Sequence, residues 1–297
     1  MAGIVPTVAT RIRSWAGRKP RGVALREKSL GIWQETTWAE YGDLVERAAH
    51  GLLALGVRPG DHVAIQSANR TEWPVADAAA VAARAVTAAF DPGARVLIAE
   101  GQEQVDEALA ARAGLPGLEW IVYIEPRGVR DYAEPSLVWW PDLLARGGEH
   151  RAEHPRLLDE LAAEVGDDDL VTSSLTASQV NRILATPPHP DPGPGDFVVC
   201  HQPLSQMASR RSSAWLNADA GVQLHFGEPS AGLPQTLYEV QPSLFLGTPD
   251  VWEKLRAKAG NRRRLGLRKC RSAVSTAPLA PELSEWYRGL GIEVGVA

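Results

Sequence analysis

The chain has 297 residues, 44% hydrophobic and 23% charged, a globular composition long enough for one large domain or two lobes. Its formal net charge of −5 argues against a nucleic-acid partner, because such proteins present basic surfaces. Two cysteines, Cys200 and Cys270, exclude a disulfide framework and fit a reducing cytosol, and no run of the sequence has the length and freedom from charge of a signal core or a membrane span.

In chain order, residues 23–28 and 32–36 read as two short strands around Ser29-Leu30-Gly31. Thr37-Trp38-Ala39-Glu40 is a capping box, and the helix it opens carries Leu44, Ala48, Leu52 and Leu55 on one stripe before Gly56. Arg58-Pro59-Gly60-Asp61 is a turn, and 62–66 (HVAIQ) a buried strand. Helices at 72–84 and 102–113 then alternate with strands at 95–100 and 120–125. Beyond them, strands at 197–201, 221–226, 243–247 and 270–275 alternate with helices at 205–216, 232–240, 249–259 and 279–289. This rhythm predicts an α/β fold, mainly parallel sheets flanked by helices. Residues 126–170, rich in Pro, Gly and charge, break it, with one helical patch at 156–164. The stretch 186–196 (TPPHPDPGPGD) cannot be helix or central strand and is expected to connect a first lobe, 1–185, to a second, 197–297. Residues 292–297 (IEVGVA) predict a last strand whose edge needs a neighbour or cover.

Generic catalytic signatures are absent: no G-x-S-x-G, no G-x-G-x-x-G after a strand, no H-E-x-x-H. His150 and His154 have a helical metal spacing, but Pro155 disfavours helical geometry at His154, so a solvated loop is the reading. No metal ligands are assigned. The basic cluster Arg262, Arg263, Arg264, Arg268, Lys269 and Arg271 reads as a solvated positive face, with phosphate binding as its alternative.

Three ordered blocks carry a resemblance. Residues 37–74 (TWAEYGDLVERAAHGLLALGVRPGDHVAIQSANRTEWP), 195–254 (with GDFVVCHQPLSQMASR, AGVQLHFGEP and EVQPSLFLGTPDVWEKL) and 272–294 (SAVSTAPLAPELSEWYRGLGIEV) resemble the AMP-forming acyl-CoA synthetases, especially the long-chain fatty acid ligases. The resemblance implies the large N-terminal domain of adenylate-forming enzymes. It also implies ATP, magnesium and CoA as cofactors or substrates, with an acyl-adenylate formed and passed to the thiol.

The departures shape the functional expectation. Where the family has a phosphate loop with glycines and a lysine, this chain has 171–178 (VTSSLTAS), leaving Thr172, Ser173, Ser174 and Thr176 as its vestige. Gln206, beside Ser205, stands where the family has a pocket histidine, and Ser275-Thr276-Ala277 lacks the family's glycine; these five are the acyl or adenylate pocket candidates. A strand–turn–helix connection is cut short around Ala89-Phe90-Asp91-Pro92, and the sequence stops before the family's magnesium-binding Tyr-Gly-x-Thr-Glu run, its ribose-binding aspartate and its catalytic lysine. No catalytic residue is assigned. The expectation is a cytoplasmic homologue without independent adenylation activity that binds a fatty acyl, acyl-CoA or nucleotide ligand, or a protein partner. Its rivals are one half of a split ligase, joined by a partner or second copy through the C-terminal strand, and a product that folds and does little.

Overall fold

Thr7 starts the first helix by a reciprocal cap: its backbone N–H donates to Thr10 Oγ1 (2.9 Å), and the Thr10 N–H donates to Thr7 Oγ1 (3.3 Å). The computed structural model describes residues 5–89, 91–258 and 261–296. In order, α1 (Val8–Arg18) leads to β1 (Val23–Ser29), β2 (Ile32–Thr37), α2 (Trp38–Ala54), β3 (His62–Gln66), α3 (Glu72–Ala82), β4 (Val86–Ala88) and β5 (Val96–Ala99). Next come α4 (Gln102–Ala110), β6 (Trp120–Tyr123), β7 (Leu137–Trp139), α5 (Trp140–Glu153), α6 (Leu157–Ala163), β8 (Leu170–Thr172), β9 (Leu175–Thr176) and α7 (Ala177–Leu184). The remainder is β10 (Phe197–Cys200), α8 (Met207–Arg210), a π-helical turn at 211–215, α9 (Leu216–Ala220), β11 (Gln223–Phe226), α10 (Gly232–Val240), β12 (Leu244–Gly247), α11 (Pro249–Lys258), β13 (Ser272–Ser275), α12 (Pro281–Gly289) and β14 (Val294–Val296).

The chain divides into two compact units. The first, 1–21 and 38–183, is built on a seven-stranded sheet of order β7-β6-β5-β3-β4-β8-β9. Every neighbouring pair in it is parallel except β8 with β9. Val96–Ala99 is buried along its whole length, as parallel strands covered on both faces require. One core cluster there joins Ala64, Leu97, Val105, Ile121 and Val129. On α2, Ala48 and Leu52 are buried as the stripe predicts, and Leu44 is half-buried.

The second unit, 22–37 and 184–297, holds a four-stranded sheet of order β10-β11-β1-β2 and a three-stranded one of order β12-β13-β14. Residues 23–37 therefore leave the first lobe in which chain adjacency places them. β1 lies parallel to β11, with Leu25 opposite Leu224, and β2 folds back on β1. Leu237, Phe245, Trp252, Leu267, Leu283 and Tyr287 form the core beside the three-stranded sheet.

The expected α/β fold of parallel sheets flanked by helices is the fold observed. The segment 126–170 is a correction. It contains β7 and a 14-residue helix, α5, besides the helical patch. Pro141 sits in the first turn of α5, where no intrahelical N–H is needed, so it starts the helix rather than breaking it. The short link at 89–92 follows a strand, β4, that the sequence reading passed over; Phe90, Ala259 and Ala297 of the expected elements lie outside the described residues.

Candidate functional site

In the first unit, Thr172, Ser173, Ser174 and Thr176 form the tip of an antiparallel hairpin, β8 to β9. Thr172 is buried, and its Oγ1 accepts from the backbone N–H groups of Ser174 (3.3 Å) and Leu175 (3.1 Å). Ser173 N–H donates to the Thr87 carbonyl of β4 (3.1 Å). Thr176 caps α7: its N–H donates to Gln179 Oε1 (2.8 Å), and its Oγ1 accepts from Gln179 N–H (3.4 Å). Ala177 and Ser178 N–H groups donate to the carbonyls of Asp169 and Asp167. Thus six consecutive backbone donors, 173 to 178, are engaged inside the unit. Only the Ser173 and Ser174 side chains at the turn are exposed.

Also in this unit, His150 lies at the end of α5 and His154 is its cap, with non-helical φ −127° and ψ 60°. Their rings stand 4.6 Å apart, and His150 Nδ1 lies 2.8 Å from His50 Nδ1 on α2. Burial, reinforced by the neighbouring His150 and Arg151, pushes the His50 imidazole down to about 4. Among the described residues, no group of three or more His, Cys, Asp or Glu side chains is placed to hold a metal ion.

In the second unit the remaining candidates lie at the ends of two strands, β10 and β13. β10 pairs in parallel with β11 on one side. On its other side stands β12, where Ser243 N–H donates to the Phe197 carbonyl (3.1 Å) and Ser243 Oγ accepts from Phe197 N–H (2.9 Å). β10 and β12 are thus edge strands of their two sheets, linked through Phe197 and Ser243. Ser205 and Gln206 follow the carboxyl end of β10; Ser275 is the last residue of β13, and Thr276 and Ala277 follow it. Ser205 and Gln206 are exposed, with Gln206 at the cap of α8. Thr276 N–H donates to the Gly247 carbonyl (3.0 Å), extending the β12–β13 ladder, and Ala277 is half-buried.

Two buried polar atoms at these strand ends have no partner among the described residues: Ser275 Oγ and His201 Nε2. A buried donor or acceptor left unmade costs about 1–3 kcal/mol, so each of these atoms has hydrogen-bonding capacity to spare. The sequence reading missed His201. Its signal was a histidine closing an apolar strand, in FVVCHQ. The ring stacks on Phe245 (centroids 5.2 Å apart), and burial pushes its pKa down to about 4, keeping it neutral. With Cys200, Ser209, Ser212 and Ser213 it lines a pocket of about 10 Å³, room for one water at most. The Cys200 thiol is pushed up to about 12 by burial and is no nucleophile.

Residues 12–108 match a family model described as AMP-binding enzyme. The chain is 24% identical over 311 residues to long-chain-fatty-acid–CoA ligase ACSBG2 of Xenopus laevis, covering 92% of this chain and 40% of that protein. It is 27% identical over 270 residues to ACSBG1 of Bos taurus, covering 78% of this chain and 36% of that protein. The chain therefore spans about two fifths of the length of the relatives it matches. The fold superposes on the anthranilate CoA ligase AuaEII in complex with anthranoyl-AMP (TM-score 0.80, 16% identity, 99% of this chain and 60% of that one). It also superposes on the A domain of carboxylic acid reductase from Segniliparus rugosus (TM-score 0.78, 15% identity, 100% and 61%).

Proposed function

We infer that this chain, a homologue of long-chain-fatty-acid–CoA ligases and of AMP-binding enzymes, acts as a ligand- or partner-binding protein without adenylation activity of its own. One observation carries the reading: the backbone donors of 173–178 are all engaged by protein acceptors. A phosphate grip needs converging free N–H groups and a cation. Here opening the hairpin to supply them would break the α7 cap and the β4–β8 contact together. No lysine occurs in 167–192 to supply the charge. Adenylation depends on neutralising phosphate charge, so it is the half of the chemistry this arrangement disfavours.

The carboxyl ends of β10 and β13 support the binding half of the reading. His201 Nε2 and Ser275 Oγ offer neutral hydrogen-bonding groups, suited to a carboxylic acid or its thioester. Ser205, Gln206, Thr276 and Ala277 belong to the loops that follow those ends. A thermal-shift panel of MgATP, AMP, CoA, a long-chain fatty acid and its CoA ester tests it. An acyl ligand at a hundredfold excess over its Kd should stabilise the chain by about 2.7 kcal/mol, and MgATP should not. Stabilisation by MgATP with none by acyl ligands contradicts the reading.

A second reading, a ligase completed by another polypeptide, is favoured by β14. It pairs with β13 alone among the described strands, and Val296 is 57% exposed. A stoichiometric partner that co-purifies and restores acyl-CoA formation supports it; a ligand-indifferent monomer rejects it. Among the described residues no helix is long and apolar enough to cross a membrane, and the cytoplasm remains the proposed location.

A further inference from the structure

The sheet of the first unit is crossed once by a link too short for a helix. β4 and β5 both run parallel to β3, which lies between them, so the chain must cross β3 to pass from one to the other. Such a crossover ordinarily takes about a dozen residues or more and carries a helix that covers the sheet. Here only residues 89–95 make the crossing. Ala88, Ala64, Leu97 and Ile121 stand in one register row across β4, β3, β5 and β6. Val105 and Ala108 of α4 join Ala64, Leu97 and Ile121 in one core cluster. Ala64, Leu97 and Ala108 also line a pocket of about 120 Å³, on the part of the sheet that the short crossing leaves without a helix of its own.

The floor of this pocket is apolar and its side chains are short: Ala64, Ala94 and Ala108, with Leu97 and Leu118, are each buried. Alkyl walls hold water poorly, and a cavity of about 150 Å³ lined by such groups stays dry and admits benzene. A pocket of this size therefore suits a small ring or a short alkyl chain. Glu107 and Ala111, exposed at the end of α4, mark its mouth.

Three polar side chains complete the lining: Gln66 at the carboxyl end of β3, Asp91 and Glu107. No lysine, arginine or histidine lines it. Asp91 is engaged, since its Oδ1 accepts from Gly93 N–H (2.8 Å) and its Oδ2 meets His62 Nδ1. The cations that flank the lining residues in sequence are engaged too, Arg95 by Asp61 and Glu119, and Arg112 by Glu134. Gln66 and Glu107 make no side-chain hydrogen bond or ion pair among the described residues. Glu107 also lies in the last turn of α4, where the helix dipole is itself negative, so a cation there is favoured by both. An ammonium, with three N–H donors and no acceptor, complements this carboxylate and the amide oxygen.

We propose that this pocket binds a small primary amine, its alkyl or aryl body among the alanines and its ammonium at Glu107 and Gln66. It shares no residue with the candidates of the second unit, and it stands whether or not the proposed function does. The test is titration of the isotope-labelled full chain with benzylamine, read by amide chemical shifts. Benzyl alcohol and benzoate serve as neutral and anionic counterparts of like size. Expected are saturable shifts confined to the pocket residues, with the alcohol bound about fivefold more weakly, as loss of an exposed ion pair implies, and benzoate not at all. Glu107→Gln should lose the same factor toward benzylamine and leave the alcohol unchanged, a split that a merely structural role would not give. Ala108→Leu in the floor and Ala111→Phe at the exposed mouth should each weaken both ligands by about tenfold or more. Circular dichroism and urea midpoints check that each variant is folded. Benzylamine shifts that are absent or do not saturate overturn the proposal, as do benzoate bound as tightly as the amine or parental benzylamine binding by Glu107→Gln. If Ala108→Leu does not fold, Ala111→Phe decides: parental binding by it places the amine elsewhere and overturns the proposal.

Discussion

Replacing Gly147 by valine is expected to destabilise the first unit by about 3 kcal/mol or more, lowering its melting midpoint by roughly 6–12 °C. The cause is a contact between two helix backbones. A Cβ at Gly147 on α5 would stand 1.8 Å from the Arg47 carbonyl oxygen and 2.8 Å from Gly51 N on α2. The reverse contact is as close: a Cβ at Gly51 would stand 2.5 Å from the Leu143 carbonyl oxygen. Backbone atoms cannot rotate away as side chains do, so the helices must separate. Separation breaks the Arg47 Nε bond to the Leu144 carbonyl (3.2 Å) and the His50–His150 contact. Gly148 is the control. A Cβ there would meet only Arg47 Nε within 4 Å, at 3.9 Å. Gly148→Ala should therefore be neutral or stabilise by up to about 1 kcal/mol through helix propensity. Urea denaturation of both variants checks this; a Gly147→Val midpoint equal to the parent's would refute the tight crossing.

Acid should destabilise the fold between about pH 6.5 and 4, before carboxylates matter. Burial pushes the imidazoles of His189, His201 and His225 down to about 4 each, with Arg271 adding to the effect on His189 and Arg26 on His225. The folded chain keeps these rings neutral, while the unfolded chain protonates them near the ordinary 6.5. Stability is then level above that value and falls as pH drops, because the unfolded state binds more protons. Each buried ring accounts for up to about 3 kcal/mol by pH 4. Carboxylates act in a different window. Asp91 is held low by its bond from His62; burial raises Asp196, but bonds from Arg271 and Ser243 outweigh it and hold it low. Their contributions are present above about pH 4 and are lost only as pH falls further. Urea midpoints measured from pH 8 to 4.5 should decline, and less steeply in His201→Phe. A flat profile over that window would remove the buried neutral histidines from the account.

Much of the fold was legible because apolar runs and their punctuation are local signals. The strand 62–66 and the helix after Thr37 were readable from a buried run and a capping box. α5 was not. Its Gly147-Gly148 pair and Pro141 look like loop residues, yet Gly147 is there for a tertiary approach that no local pattern encodes. The placement of 23–37 with β11 was hidden for a similar reason: the pairing joins residues about two hundred positions apart. At the candidate site, the missing glycine and lysine of 171–178 were visible in the residues themselves. That Thr172 and Thr176 spend their hydroxyls on the hairpin turn and the α7 cap was visible only in three dimensions. His201 escaped notice because it sits inside an apolar strand pattern, where a lone histidine reads as packing.

The measurement that bears most directly on the central claim is fatty-acid-dependent exchange of labelled pyrophosphate into ATP, run on this chain beside a full-length long-chain-fatty-acid–CoA ligase. With the donors of 173–178 engaged, the chain should give no exchange above background at any fatty-acid length, with or without magnesium, while the ligase gives a clear signal. Exchange by the chain that rises with fatty acid and is abolished by removing magnesium would contradict the account.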